Sequence, residues 1–167
     1  MAYYKGINYI GKQRKEGVCV AISIINALKW AGNKTISASH IEHVYKKAGN
    51  PGEGTVASKV LKVLRFHCKK YLIVTYSQPA NSQQVIQWLR EGNTAILDYF
   101  CVEEKDSEIG HSIFLSGIES DKVVIINDFG KSIYKMNVKR FKKELFKKSD
   151  NYPGVYFIRK TNALRPK

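Results

Sequence analysis

The chain predicts an α+β fold, with helices gathered in its first half and an antiparallel sheet built mainly from its second. Three observations point there. An apolar stretch at helical spacing covers residues 19–31 and is stopped by Gly32-Asn33. Further helix-type segments follow as far as residue 90. Three β-rich segments, 94–102, 111–118 and 122–127, then run consecutively between short polar connections. Helices followed by a succession of strands specify segregated layers rather than βαβ alternation. A length of 167 residues suits a single domain, 1–167, able to bury a core without disulfide or metal staples.

Each element has its own signal. The first eighteen residues are polar and mixed, and predict a loop or short strand leading into the first helix. In residues 19–31, Ala21, Ile24, Ile25 and Leu28 recur at helical spacing, and the stripe is wide enough to place this helix centrally. A second helix is expected over 39–48, ended by Gly49-Asn50-Pro51-Gly52. Thr55 reads as the cap of a third over 56–66, with Val56, Val60, Val63 and Leu64 inward. Residues 71–76 are β-rich. Asn81 or Ser82 caps a helix running to Arg90. After the three consecutive strands, 135–145 predicts a basic helix capped by Asn137, and 154–159 a final strand.

Composition narrows the function. No window approaches eighteen consecutive apolar residues, so no membrane span is expected, and the start of the chain lacks the apolar stretch of a secretory signal. Cys19, Cys68 and Cys101 have no metal-ligand spacing and cannot all pair with one another, which predicts free thiols in a reducing, cytoplasmic setting. The formal charge is +14, and residues 131–167 hold twelve Lys or Arg against Glu144 and Asp150. Such a field attracts nucleic acid or an acidic protein, although a lysine-rich solvated surface accounts for it as well. No stacking-aromatic motif of the RNA-binding kind interrupts these lysines.

The chemistry concentrates in one order of residues: Gln13, Cys19 six positions later, then Gly110-His111 far downstream. A thiol attacks carbonyls as its thiolate, and the N-terminus of a helix favours that anion. Cys19 is expected at the first position of its helix. Packing as a small hydrophobe between Val18 and Val20 is the competing role. His111 opens an apolar strand, as a general base would. A two-residue hairpin loop at Glu119-Ser120 would oppose it to Asp128, close enough to orient the imidazole; a loop of odd length would select Asn127 instead. The Gln13 amide, with the backbone N–H of Cys19, matches the donors that a developing oxyanion needs.

These residues resemble the papain-like cysteine peptidases, and more narrowly the bacteriocin-processing branch that cleaves double-glycine leader peptides. The resemblance spans roughly residues 8–145. It rests on the Gln13-to-Cys19 helix start, Gly54-Thr55 before a helix, Ser82–Gly92 ahead of the strand Thr94–Tyr99, and Gly110-His111-Ser112-Ile113 followed by Val123–Asp128. It implies a papain-like fold, with N-terminal helices, the first carrying the nucleophile, packed on a C-terminal antiparallel sheet. It also implies Cys19 as nucleophile, His111 as base, Asp128 as orienting residue and Gln13 in the oxyanion hole. The chain departs from the pattern at Val20, where the family has glycine, and at Phe129, where it has proline. No transporter domain accompanies the sequence, so the leader substrate does not carry over.

Other signals are weak. His40 and His43 lie three apart on the second helix and supply two of the four ligands a zinc site needs. His67-Cys68 ends a helix, where a histidine complements the dipole. Gly52-Glu53-Gly54-Thr55 lacks the Gly-Lys-Ser/Thr ending of a phosphate loop. No cofactor or metal is expected. Three functions remain: a cysteine peptidase acting on a peptide or protein, an acyl transferase or deamidase using the same residues, or a basic binding module for nucleic acid or an acidic protein.

Overall fold

The computed structural model describes residues 2–4, 6–11, 18–32, 36, 38–48, 57–68, 72–103, 107–128, 131–146 and 153–160. A short hairpin, β1 (Ala2–Tyr4) and β2 (Ile7–Tyr9), precedes three helices: α1 (Cys19–Trp30), α2 (Ala38–Ala48) and α3 (Ala57–Cys68). There follow β3 (Leu72–Ser77), α4 (Ser82–Arg90), β4 (Thr94–Glu103), β5 (Ser107–Glu119), β6 (Lys122–Asp128), β7 (Lys131–Asn137), α5 (Val138–Leu145) and β8 (Gly154–Lys160). The last six strands form one antiparallel sheet in the order β3-β8-β4-β5-β6-β7. Among the described residues, no helix is long and apolar enough to cross a membrane.

Helix α1 is buried along Val20–Leu28 and lies across the middle of the sheet, chiefly on β5. Its Ile24, Ile25 and Leu28 pack with Val44 of α2, Val60 and Leu64 of α3, and Ile96, Phe114, Ile126 and Tyr156 of the sheet. The opposite face holds a second core, where Val85, Ile86 and Leu89 of α4 and Val138 and Phe141 of α5 meet Leu97, Ile113, Leu115, Ile125 and Phe157. The N-terminal helices pack on the antiparallel sheet as expected, and α4 and α5 cover its other face. Two polar ties fix α1. Asn26, buried in the helix, accepts from the Ile10 N–H at 2.8 Å and donates to the Ile10 carbonyl at 2.9 Å. Ser23 donates to the Ser112 carbonyl of β5 at 3.1 Å.

Most predicted elements stand within a residue or two of their places, and both asparagine caps are real. Asn81 Oδ1 accepts from the Gln83 N–H, and Asn137 Oδ1 from the Lys139 N–H, each at 2.8 Å. Three readings are corrected. Residues 135–137 belong to a strand, β7, and the basic helix starts only at Val138: cross-strand pairing with β6 claims the alternating Ile133, Lys135 and Asn137. The strand carrying His111 begins at Ser107, so His111 is internal to it. The hairpin turns at Ser120-Asp121, not Glu119-Ser120. Both take positive φ, 45° and 58°, the geometry of a two-residue turn that matches strand twist. A bulge between Leu115 and Gly117 then shifts the register again, and the last recorded pair is Phe114 with Ile126. His111 is consequently not opposed to Asp128.

Candidate active site

Cys19 is the first residue of α1, as expected. Val18 stands at the N-cap and contributes no side-chain cap, so the first N–H groups of the helix are not taken up by it. Those of Cys19 and Val20, with the Ser112 N–H of β5, favour the thiolate. They are outweighed. Burial pushes the thiol above its ordinary value, and the Asp98 carboxylate raises it further. The helix N-terminus does not by itself ionise this cysteine, and at neutral pH the resting side chain is a thiol.

Asp98 was not singled out in the sequence. It sits on β4, directly paired with Ser112 of β5 on one side and Gly154 of β8 on the other. Alternation along β4 puts it on the Ile96 face, under α1. Burial pushes its carboxyl up to about 6, while the hydroxyls of Ser112 and Tyr156 pull the other way. Their geometry is incomplete: Asp98 Oδ1 and Ser112 Oγ are sealed from solvent and neither completes a full hydrogen bond. One signal was available. Asp98 is the one charged residue in the otherwise apolar run Ala95–Val102.

Two tyrosines border this carboxylate. Tyr156 is fully buried on β8, and the Tyr76 ring of β3 packs against it at a tilt of 39°, with ring centroids 4.7 Å apart. Tyr76 reaches over Gly154, the residue opposite Asp98, where an added Cβ would lie 2.5 Å from the Tyr76 hydroxyl oxygen. That hydroxyl donates to Gln78 Oε1 at 2.7 Å. Glycine at 154 is therefore what lets the Tyr76 ring lie beside the acid.

His111 has a different setting. The β4–β5 ladder is unbroken from Ala95 and Leu115 to Glu103 and Ser107, so side chains alternate strictly along it. Ser112 and Phe114 face α1, whereas His111 follows Ile113 and Leu115 onto the other face. There it is 5% exposed and packs edge-on against Tyr99, with centroids 5.9 Å apart. In this register Cys19 and His111 occupy opposite faces of the sheet. Asp128 ends β6, paired with Lys131 of β7 and two residues beyond Ile126; it and Asn127 are described through their backbone alone. Gln13 lies outside the described residues, three positions after the Ile10 backbone that Asn26 clamps to α1. The structure thus gathers Cys19, Asp98, Ser112, Tyr156 and Tyr76 under the start of α1. It does not bring His111 to them.

No family model matches this sequence, and no curated protein does. Solved structures do. The chain is similar to a double-glycine-motif protease from an AMS/PCAT transporter, solved in complex with the leader peptide. That likeness has a TM-score of 0.65 at 19% identity and covers 93% of this chain and 92% of the other. It is similar to the peptidase domain of Streptococcus ComA, a bifunctional ABC transporter involved in quorum sensing, with a TM-score of 0.63 at 12% identity over 90% and 96%. A C39-like peptidase from Bacillus anthracis gives 0.58 at 12% over 93% and 96%. The α+β, papain-like fold expected from the sequence is the fold of these C39 double-glycine peptidase domains.

Proposed function

Starting from a fold shared with the C39 peptidase domains, we propose that this chain is a cysteine peptidase that cleaves a peptide bond through an acyl-thioenzyme on Cys19. The observation that carries the proposal is the position of Cys19, a free cysteine opening the central helix, with the N–H groups of Cys19, Val20 and Ser112 directed at its sulfur. The three similar structures described above are peptidases or peptidase domains, which favours hydrolysis over acyl transfer, deamidation or a basic binding module.

In this reading the Cys19 sulfur attacks the scissile carbonyl, forming the C–S bond and an oxyanion. The Cys19 N–H and the Gln13 amide stabilise that oxyanion. His111 takes the thiol proton and returns it to the leaving amine as the C–N bond breaks; Asp128 orients the imidazole. Water then releases the acid and restores the thiol. For His111 to serve, β5 must slip by one residue ahead of Ser112, as it does already between Leu115 and Gly117. Bulges of this kind commonly re-aim a side chain beside an active site.

A peptide substrate is the class to test, because one similar protease is described with its leader peptide. Incubation with a mixture of unstructured peptides, some carrying a double glycine, is expected to yield cleavage products by mass spectrometry. Conversion of glutamine side chains, or transfer to an added amine without cleavage, would instead assign the deamidase or acyl-transferase chemistry.

A further inference from the structure

Cys19 faces a half-buried carboxylate, and nothing in a thiol peptidase needs an anion there: it opposes formation of the thiolate. Asp98 belongs to the same row across the sheet as Ser112 and Gly154, on the face that α1 covers. Its Oδ1 is shut off from solvent without a completed hydrogen bond, and the Ser112 hydroxyl beside it is in the same state. Leaving such groups unsatisfied is costly, so the arrangement is built for a donor that arrives with a ligand. The walls say which kind. Tyr76 and Tyr156 present a tilted pair of aromatic rings next to the acid, and Gly154 keeps the space that admits Tyr76. A carboxylate flanked by tyrosines is suited to an ammonium or guanidinium group, which gains from both the ion pair and the ring faces.

We propose that Asp98 is a specificity-determining residue: with Tyr76 and Tyr156 it receives a lysine or arginine side chain that the substrate carries next to the scissile bond. The inference rests on the peptidase reading for its substrate, but the cation preference belongs to the pocket itself. Binding the cation has a second consequence. It neutralises the charge that holds the Cys19 proton in place, so the thiol is released for ionisation when a matching peptide is seated. Among the described residues, the titratable groups facing Asp98 from the packed elements are Cys19 of α1, Tyr156 of β8 and, over Gly154, Tyr76 of β3. Burial holds the Cys19 thiol protonated at rest, which leaves Asp98 as the charge that the ligand answers.

The test compares the modification of Cys19 by ethylammonium, methyl and ethylsulfonate methanethiosulfonates, followed by peptide mapping and normalised to a small free thiol. In the wild type the cationic reagent is expected to react about tenfold faster than the anionic one, against the direction set by the basic surface. Asp98→Asn should erase that ratio, Asp98→Glu should retain it, and Asp98→Lys should invert it. A wild-type ratio near that of the free thiol, or one unchanged in Asp98→Asn while Asp98→Glu stays folded by circular dichroism, overturns the proposal. In parallel, peptides with lysine, arginine, norleucine or glutamate on either side of the cleaved bond are compared by kcat/KM. The cationic peptides are expected to lead by about tenfold, in the wild type but not in Asp98→Asn. If no peptide is cleaved while the reagent ratio still depends on Asp98, the peptidase reading fails and the cation pocket stands. If peptides are cleaved without regard to charge, the pocket fails and the peptidase stands.

Discussion

Asp98 and Ser112 are direct cross-strand partners on β4 and β5, and both stand on the face under the first turn of α1, where the Ser112 N–H meets the Cys19 sulfur. This pairing places a half-buried acid beside the candidate nucleophile. It also determines which residues of β5 share the face with Cys19: Ser112 does, and its neighbour His111 does not.

The acid has a cost that a denaturation experiment can read. Its folded pKa, about 6, is above its ordinary value of 3.8, so the folded protein binds the proton more tightly than the unfolded chain. Stability contributed by the protonated form is therefore present at low pH and is lost as pH rises from 3.8 towards 6. The loss amounts to about 3 kcal/mol at neutral pH. Asp98→Asn, with no proton to lose, is expected to raise the urea midpoint at neutral pH and to leave it close to wild type near pH 4. An equal change at both values would assign the effect to packing rather than to charge.

The Asn26 clamp is a separate, structural prediction. Replacing Asn26 by alanine strands the buried-side N–H and carbonyl of Ile10 and opens a small space in α1. The expected destabilisation is about 2–4 kcal/mol by chemical denaturation. A change of only a few tenths would mean that water takes over both bonds at no penalty. Because the clamped segment leads to Gln13, the same variant should weaken hydrolysis beyond what its stability loss explains.

His111 can be assigned by the form of the pH profile. As the base, its removal in His111→Ala is expected to lower kcat by about 100- to 10,000-fold and to remove the acidic limb of the kcat/KM profile. If His111 only packs against Tyr99, the variant will lose stability while the limb survives. The first result also implies that β5 slips by one residue to bring the ring to the Cys19 face.

Much of this was legible in the chain. The start of α1 at Cys19, the Asn81 and Asn137 caps and the helix-then-strand order follow from local periodicity and from side chains that bond their own backbone. Long-range register is harder. The hairpin was misplaced by one residue because Ser120 and Asp121, neither a glycine, both take the left-handed conformation, and the bulge is marked by a single residue, Gly117, whose φ of 147° only glycine readily adopts. β7 was hidden since its lysine-containing alternation runs directly into an amphipathic helix. Asp98 was visible as a charge in an apolar strand, but its relation to Cys19 is set by pairing between strands and by the placement of α1, which no local pattern encodes.

The central claim is that Cys19 forms the covalent bond to the substrate. Rapid acid quench of the enzyme with a cleaved peptide, followed by intact-mass measurement and peptide mapping, tests it most directly. The account expects an acyl adduct on Cys19, equal in mass to the N-terminal product less one water, and at least about a thousandfold loss of hydrolysis in Cys19→Ala. Cleavage that persists in Cys19→Ala, or an adduct on Cys68 or Cys101, would contradict it.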